Sequence, residues 1–165
     1  MIIVEGVDAT GKTTVARHLA LELGWRYKHH GYRPNEDIVS DYLAQLRESP
    51  SNIIYDRSVF SEIVYGTVLR GFSRCPIELI KAELGRGDTT KIQLIYCGAP
   101  PTTILQRLQN RRESSVFSLD IIERLCSAYE RLMNELPLNH IYRYDSLTSS
   151  DSSLRDVLRW CRKPA

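Results

Sequence analysis

Lysine is scarce in this 165-residue chain: five of its 22 basic residues are Lys and 17 are Arg, against 20 acidic residues, for a net charge of +2. So small a charge gives no electrostatic reason to expect nucleic acid as a partner. No apolar run approaches the roughly 18 residues of a membrane span. The opening Met-Ile-Ile-Val stops at Glu5 without a basic start or a long hydrophobic stretch, so no secretory signal is expected. Cysteine is sparse as well. Cys75, Cys97, Cys126 and Cys161 lie 22, 29 and 35 residues apart, which suits neither a close-spaced metal motif nor a disulfide framework. They read as core thiols of a protein in a reducing, cytoplasmic compartment. Low complexity is confined to a short Ser-rich turn near Ser149, and neither an internal repeat nor a linker divides the chain. One domain spanning 1–165 is expected.

The apolar residues that are present alternate in period. Short runs at Ile2–Val4, Trp25–His29, Asn52–Tyr55, Lys91–Cys97 and Ile141–Tyr144 have the length of strands. Helical spacing fills the intervals: Lys12–Leu23 closed by Gly24, Asp37–Glu48, Ser58–Leu69 closed by Gly71, Pro76–Leu84, Pro100–Arg111, a long helix from Ser118 or Leu119 to the residue before Pro137, and a last one capped at Asp151–Ser153. In the long helix Ile121, Leu125, Leu132 and Leu136 hold one face, broadened by Ile122, Tyr129 and Met133. Strand and helix alternating almost without exception predict an α/β three-layer fold with a five-stranded parallel sheet.

Between the first strand and first helix stands Gly6-Val7-Asp8-Ala9-Thr10-Gly11-Lys12-Thr13, which matches G-x-x-x-x-G-K-[ST] in the context that gives the pattern meaning. Its glycines let backbone N–H groups converge on an anion, and the helix that follows adds the positive end of its dipole. Lys12 is placed to reach the terminal phosphates of a nucleoside triphosphate, Thr13 to bind Mg²⁺, and Thr14 to assist at the α-phosphate. ATP is the expected donor, with GTP compatible with the same loop. The excess of guanidinium over ammonium suits phosphate ligands, because Arg pairs with them through two hydrogen bonds.

Such a loop serves kinases, GTPase switches and motors alike. A second constellation, Asp56-Arg57 at the end of the third strand, sets a magnesium-orienting carboxylate beside a guanidinium facing the reacting phosphate. Glu5-Gly6-Val7-Asp8-Ala9-Thr10-Gly11-Lys12-Thr13 resembles the E-G-x-D-x-x-G-K-[ST] loop of thymidylate kinases. Asp56-Arg57 followed by Ser61, Tyr65, Arg70 and Gly71 resembles their D-R-x-x-x-S-x-x-x-Y segment. The likeness extends to deoxynucleoside kinases, which usually carry Glu-Arg-Ser where this chain has Asp56-Arg57-Ser58. It covers the loop, the third strand with its helix and, more loosely, a lid at about 107–118 bearing Arg107, Arg111 and Arg112.

The resemblance implies that Asp8 holds the 3′-hydroxyl of the acceptor sugar and that Arg57 holds its phosphate near the γ-phosphate of ATP. Ser61 and Tyr65 line the acceptor pocket, and the lid arginines close over the phosphates. The implied reaction is transfer of the γ-phosphoryl to a deoxynucleoside monophosphate, thymidylate-like, in deoxynucleotide biosynthesis. The alternative is a kinase of a hydroxyl group on a deoxynucleoside or on a modified base in DNA, such as hydroxymethyluracil, with Asp56 as general base; only there is nucleic acid a partner. A regulatory nucleotide-binding module without transfer is a third class. The oligomeric state is not legible, and the resemblance is compatible with a homodimer.

Three departures from the family pattern stand out. Ala9 occupies the position where some thymidylate kinases have a P-loop Arg, which shifts the electrostatic burden to the lid. Gly66 replaces the Gln that often follows the motif tyrosine. The stretch before the third strand is short, as in compact bacteriophage members, some of which serve modified pyrimidines. Within it Tyr42, Gln45 and Arg47 are the nearest base-binding candidates, and Arg33-Pro34 stands in for an Arg-Glu-Pro turn. His29 and His30 are expected at a strand end, on the surface.

Overall fold

The computed structural model describes residues 1–32, 37–48, 50–111, 117–147 and 151–163. Arg33 and residues 112–116 of the expected lid, Arg112 among them, lie outside them. In chain order the elements are β1 (Ile2–Glu5), α1 (Lys12–Leu23), β2 (Arg26–His29), α2 (Ile38–Glu48), β3 (Ile53–Asp56), α3 (Val59–Arg70), α4 (Ile77–Arg86), β4 (Gln93–Gly98), α5 (Pro101–Asn110), α6 (Leu119–Glu135), β5 (Ile141–Asp145) and α7 (Asp151–Cys161). All four strand pairings are parallel, in the order β2-β3-β1-β4-β5. The α/β architecture anticipated from alternation is the one found.

β1 and β3 are buried along their whole length because helices cover both faces, which is why their sequences read as unbroken apolar runs. Ile3, Tyr55 and Leu94 point into one core with Phe60, Ile104 and Tyr129. Ile2, Val4, Ile54 and Ile95 point into the other with Val15, Leu19 and Val157. The buried face of α6 runs through Ile122, Leu125, Tyr129, Leu132 and Met133, so its stripe centres on Tyr129 and leaves Ile121 half-buried. Lys91 belongs to a short 3₁₀ turn, Thr89–Lys91, and not to the fourth strand: Asp88 caps that turn and β4 starts two residues later.

Strand order positions the site. β1 lies between β3 and β4, so the chain reverses its direction of winding at β1, and the crevice beyond the carboxyl ends of β1, β3 and β4 is where an open parallel sheet admits a ligand. The Gly6–Thr13 loop, Asp56-Arg57 and the start of α5 all emerge there. Among the described residues no helix is long and apolar enough to cross a membrane.

Candidate functional site

The loop after β1 is held in a shape that side chains would obstruct. Gly6 has φ of 142°, and a Cβ there would collide with the carbonyl oxygen of Cys97 on the neighbouring strand. Gly11, at φ of 85°, sits at the N-cap of α1 and brings no capping side chain, which leaves the first helical N–H groups to an incoming anion. Lys12 is buried and lies back along the loop, donating to the Val7 carbonyl at 2.7 Å. Burial, reinforced by the nearby Arg57 cation, lowers its pKa to about 8.

Arg57 turns out of β3 with φ of 75°, a left-handed conformation that costs a β-carbon residue on the order of 1 kcal/mol. Its backbone N–H donates to Val4 O at 3.0 Å, and the turn swings the guanidinium across the sheet end onto the Asp8 carboxylate. Tyr65 clamps the same carboxylate: its hydroxyl donates to Asp8 Oδ2 at 3.0 Å, accepts the Asp8 N–H at 3.0 Å, and its ring lies 5.2 Å under the Arg57 carbon. Burial would raise the pKa of Asp8, but Arg57, Lys12 and the Tyr65 hydrogen bond outweigh it and hold the carboxyl below its ordinary value.

Beneath this pair lies a buried hub. Glu5 Oε1 accepts the Ser58 N–H at 2.7 Å and the Ser58 hydroxyl at 2.8 Å, while Oε2 accepts from Ser61 Oγ at 2.6 Å and Tyr129 OH at 3.0 Å. One carboxylate thus pins the N-terminus of α3, and with it the residue that follows Asp56-Arg57. Ser61 lines the larger of the cavities beside the loop, yet its hydroxyl hydrogen is committed to Glu5 and its oxygen receives Arg57 NH1 at 3.4 Å. It acts as a prop for Arg57 in this arrangement.

Asp56 faces the other way. Its Oδ2 accepts from Thr13 Oγ1 at 2.7 Å and Tyr27 OH at 2.8 Å and lies 3.2 Å from His29 Nδ1, whereas Oδ1 is buried without a partner among the described residues. Burial pushes its pKa up, and the Thr13 and Tyr27 hydrogen bonds with the His29 contact bring it below the usual value. His29 keeps the exposed strand-end placement expected for it and touches Asp56 through the β2–β3 register that sets the two opposite each other, whereas His30 is buried between the rings of Tyr42 and Tyr55, so the surface placement is corrected for His30 alone.

Two cavities flank the loop. The larger, about 650 Å³, runs from Asp8, Arg57 and Tyr65 past Tyr42 and Phe117 to Tyr32, Glu62, Arg70 and Arg74. The smaller, about 170 Å³, is walled by Ala9, Gly11, Thr14, Arg107 and Arg111. Arg107 reaches Ala9 O at 3.2 Å and the Ser146 hydroxyl at 2.8 Å, bracing the loop against the segment after β5. Arg47 is turned outward and pairs with Glu83 at 2.9 Å, and buried Gln45 does not line the cavity, so of the three base-binding candidates only Tyr42 stands there. Sequence reasoning missed Glu62, Arg74, Tyr32 and Phe117. The four-residue spacing of Glu62, Gly66 and Arg70 was the available signal for the first.

No family model matches the chain. It is 26% identical over 166 residues to the SPbeta prophage-derived uncharacterized protein YorR of Bacillus subtilis, covering 96% of each chain. It is 27% identical over 175 residues to a protein of Metallosphaera sedula named probable thymidylate kinase, covering 89% of this chain and 83% of that one. The crystal structure of YorR in complex with phosphorylated GDP superposes with a TM-score of 0.79 at 24% identity, over 97% of this chain and 94% of that one. Deoxyadenosine kinase from M. mycoides with bound dATP superposes at 0.62 and 14% identity, over 98% and 99%. The fold is that of the P-loop nucleotide kinases. Together these likenesses support a nucleotide kinase with a fold related to those of thymidylate and deoxyadenosine kinases, and a prophage-derived protein is among its relatives.

Proposed function

We propose that this chain is a single-domain, ATP-dependent deoxynucleoside monophosphate kinase, with a thymidylate-like pyrimidine nucleotide as acceptor. The observation that carries the reading is Arg57: a guanidinium held by a strained turn at the end of the larger cavity, beside the loop lysine. Two multiply charged phosphates must meet for transfer to occur, and fixed cations offset their repulsion as water is excluded. Lys12 and Arg57 lie where the two phosphates would meet, and Arg107 and Arg111 wall the donor side. Arg112 is assigned with them to the lid.

In this reading the acceptor phosphate displaces Asp8 from Arg57 and the freed carboxylate takes the sugar 3′-hydroxyl, steadied by Tyr65. The acceptor oxygen attacks the γ-phosphorus in line as the bond to the bridging β,γ-oxygen breaks, and ADP leaves. Thr13 and Asp56 fit Mg²⁺: a threonine hydroxyl lies beside a carboxylate whose Oδ1 has no partner among the described residues, a set of hard oxygen donors. When bound, the ion would neutralise charge on the triphosphate. Free thiols at all four cysteines suit a cytoplasmic enzyme.

A hydroxyl acceptor would need a general base near neutrality. Among the described residues Asp56 does not line the larger cavity, and the two carboxylates that do, Asp8 and Glu62, are both held below the ordinary range by their arginines. The deoxyadenosine kinase neighbour keeps this second reading in view. Labelled ATP offered with dNMPs, deoxynucleosides and DNA separates the two. Label on dNMPs supports the proposal, and label confined to nucleosides or DNA rejects it.

A further inference from the structure

β2 stands at the edge of the sheet, paired with β3 alone, and of its side chains only Tyr27 is half-buried. Arg26-Tyr27-Lys28-His29 nevertheless alternates. Period two puts Tyr27 and His29 on one face and Arg26 and Lys28 on the other. The parallel register sets Tyr27 opposite Ile54 and His29 opposite Asp56, and the His30 N–H donates to the Asp56 carbonyl at 3.0 Å, which fixes the two strands at this point. The Tyr27 face is the one covered by α1. Ile54 packs there with Val15 and Leu19, and the Arg17 guanidinium, one turn along α1 from Thr13, lies 5.6 Å from the Tyr27 ring centre.

The carboxylates around the loop are held in different ways. Asp8 and Glu62 face guanidiniums. Glu5 accepts from hydroxyl and N–H groups at both of its oxygens. Asp56 differs from all three. Thr13 Oγ1 at 2.7 Å, Tyr27 OH at 2.8 Å and His29 Nδ1 at 3.2 Å converge on Oδ2, whereas Oδ1 is buried with no partner among the described residues. A carboxylate free to turn would share three donors between two oxygens that each offer about two lone-pair sites, because a buried acceptor left bare is costly. Tyr27 and His29, reaching in from β2, hold it the other way. Neither has to bring a charge: a hydroxyl is neutral, and His29 needs only its neutral Nδ1–H tautomer. A guanidinium in their place would cancel the negative charge that attracts a divalent cation.

Resting on the reading of the loop as an ATP site with Thr13 and Asp56 toward Mg²⁺, we propose that Tyr27 and His29 are positioning residues for that ion. They occupy Asp56 Oδ2 and so keep Oδ1 free for Mg²⁺ or for one of its waters. Tyr27, half-buried and braced by Arg17, carries more of the effect than the exposed His29. Both act on the metal-bound nucleotide alone. Binding of the triphosphate without metal depends on the loop and Lys12 and is indifferent to them.

The test is calorimetric titration of the β,γ-imido analogue of ATP in Mg²⁺ and in EDTA, with Tm measured for each variant. The readout is the ratio of the two affinities, which by linkage is the factor by which the bound triphosphate holds Mg²⁺ more tightly than the free one. Wild type, Tyr27→Phe, His29→Ala, His29→Asn and the Tyr27→Phe/His29→Ala double variant are compared, with Arg26→Ala from the opposite face of β2 as control. Loss of groups that orient a metal-binding carboxylate costs about 10- to 100-fold in metal affinity. The wild-type ratio is therefore expected to exceed about tenfold and to fall toward one in the double variant, while affinity in EDTA stays within about threefold. Tyr27→Phe alone is expected to lose more of the ratio than His29→Ala. His29→Asn, whose amide places a donor near the former Nδ1, recovers most of the His29 share, and Arg26→Ala changes nothing. A wild-type ratio near one overturns the assignment, as does an unchanged ratio in the double variant of wild-type Tm. An equal loss of affinity in Mg²⁺ and in EDTA also overturns it, because the two residues would then merely support the loop. If the double variant does not fold, Tyr27→Phe, which keeps the packed ring, decides in its place. No acceptor enters these titrations, so a failure to phosphorylate any dNMP rejects the monophosphate reading and leaves the ratio to decide this one.

Discussion

The two ends of the larger cavity use the same pair of charged groups in opposite ways. At the loop end one carboxylate, Asp8, faces one guanidinium, Arg57, on a strained turn. At the far end one carboxylate, Glu62, is locked between two guanidiniums delivered by unstrained helix and turn. A one-to-one pair can be opened by an anion that competes for the guanidinium; a carboxylate enclosed by two cannot be displaced without stranding a buried charge. The first arrangement can yield to an incoming anion, and the second is fixed.

The largest effect that would sharpen this contrast comes from removing Arg57. Arg57→Ala should lower transfer to dNMP by about 10³- to 10⁵-fold and leave ATP affinity, read by calorimetry, within about threefold. A matching loss of ATP affinity would place Arg57 on the donor instead. Next comes pH. The buried Lys12 carries a pKa of about 8 against an ordinary 10.5, so above pH 8 it is neutral in the free protein and ATP binding must recover a proton. ATP affinity should then fall by up to tenfold per pH unit above 8, with proton uptake visible as a heat that depends on the buffer. The stability of the free protein moves the opposite way. Between pH 8 and 10.5 the unfolded chain holds the lysine proton that the folded chain has lost, so this group makes stability rise with pH in that window.

Tyr65→Phe removes both hydrogen bonds that the hydroxyl makes with Asp8, the one to its carboxylate and the one from its N–H, and should raise the dNMP KM by at least about two- to twelvefold, with kcat nearly unchanged. The smallest effect concerns backbone strain. Arg57→Gly should be more stable than Arg57→Ala by about 1 kcal/mol in urea unfolding, because glycine alone adopts that φ without cost. Equal stabilities would mean the turn is not strained.

Much of the frame was legible in the sequence because it is written in period: apolar runs buried on both faces of a sheet, and helical stripes between them. The loop was legible because few residue types fit a phosphate cradle. The far end of the cavity was not, although Glu62, Gly66 and Arg70 sit at visible helical spacing. What brings Arg74 onto Glu62 is the turn at 72–74 folding back over α3, and that turn depends on a side chain that is absent at Gly66. Likewise Arg47 stood near the expected base-binding position in sequence, but its helix turns it to Glu83 on the surface. The link from Tyr27 and His29 to Asp56 depends on the parallel register of β2 with β3, which no local pattern specifies.

The central claim is that Arg57 is there for a phosphate already on the acceptor, and the most direct test is calorimetric titration of dTMP and thymidine into the wild type and Arg57→Ala. The account predicts that the wild type binds dTMP at least tenfold more tightly than thymidine and that the difference disappears in Arg57→Ala. Equal binding of the two by the wild type, or a preference for dTMP that survives the loss of Arg57, would contradict it.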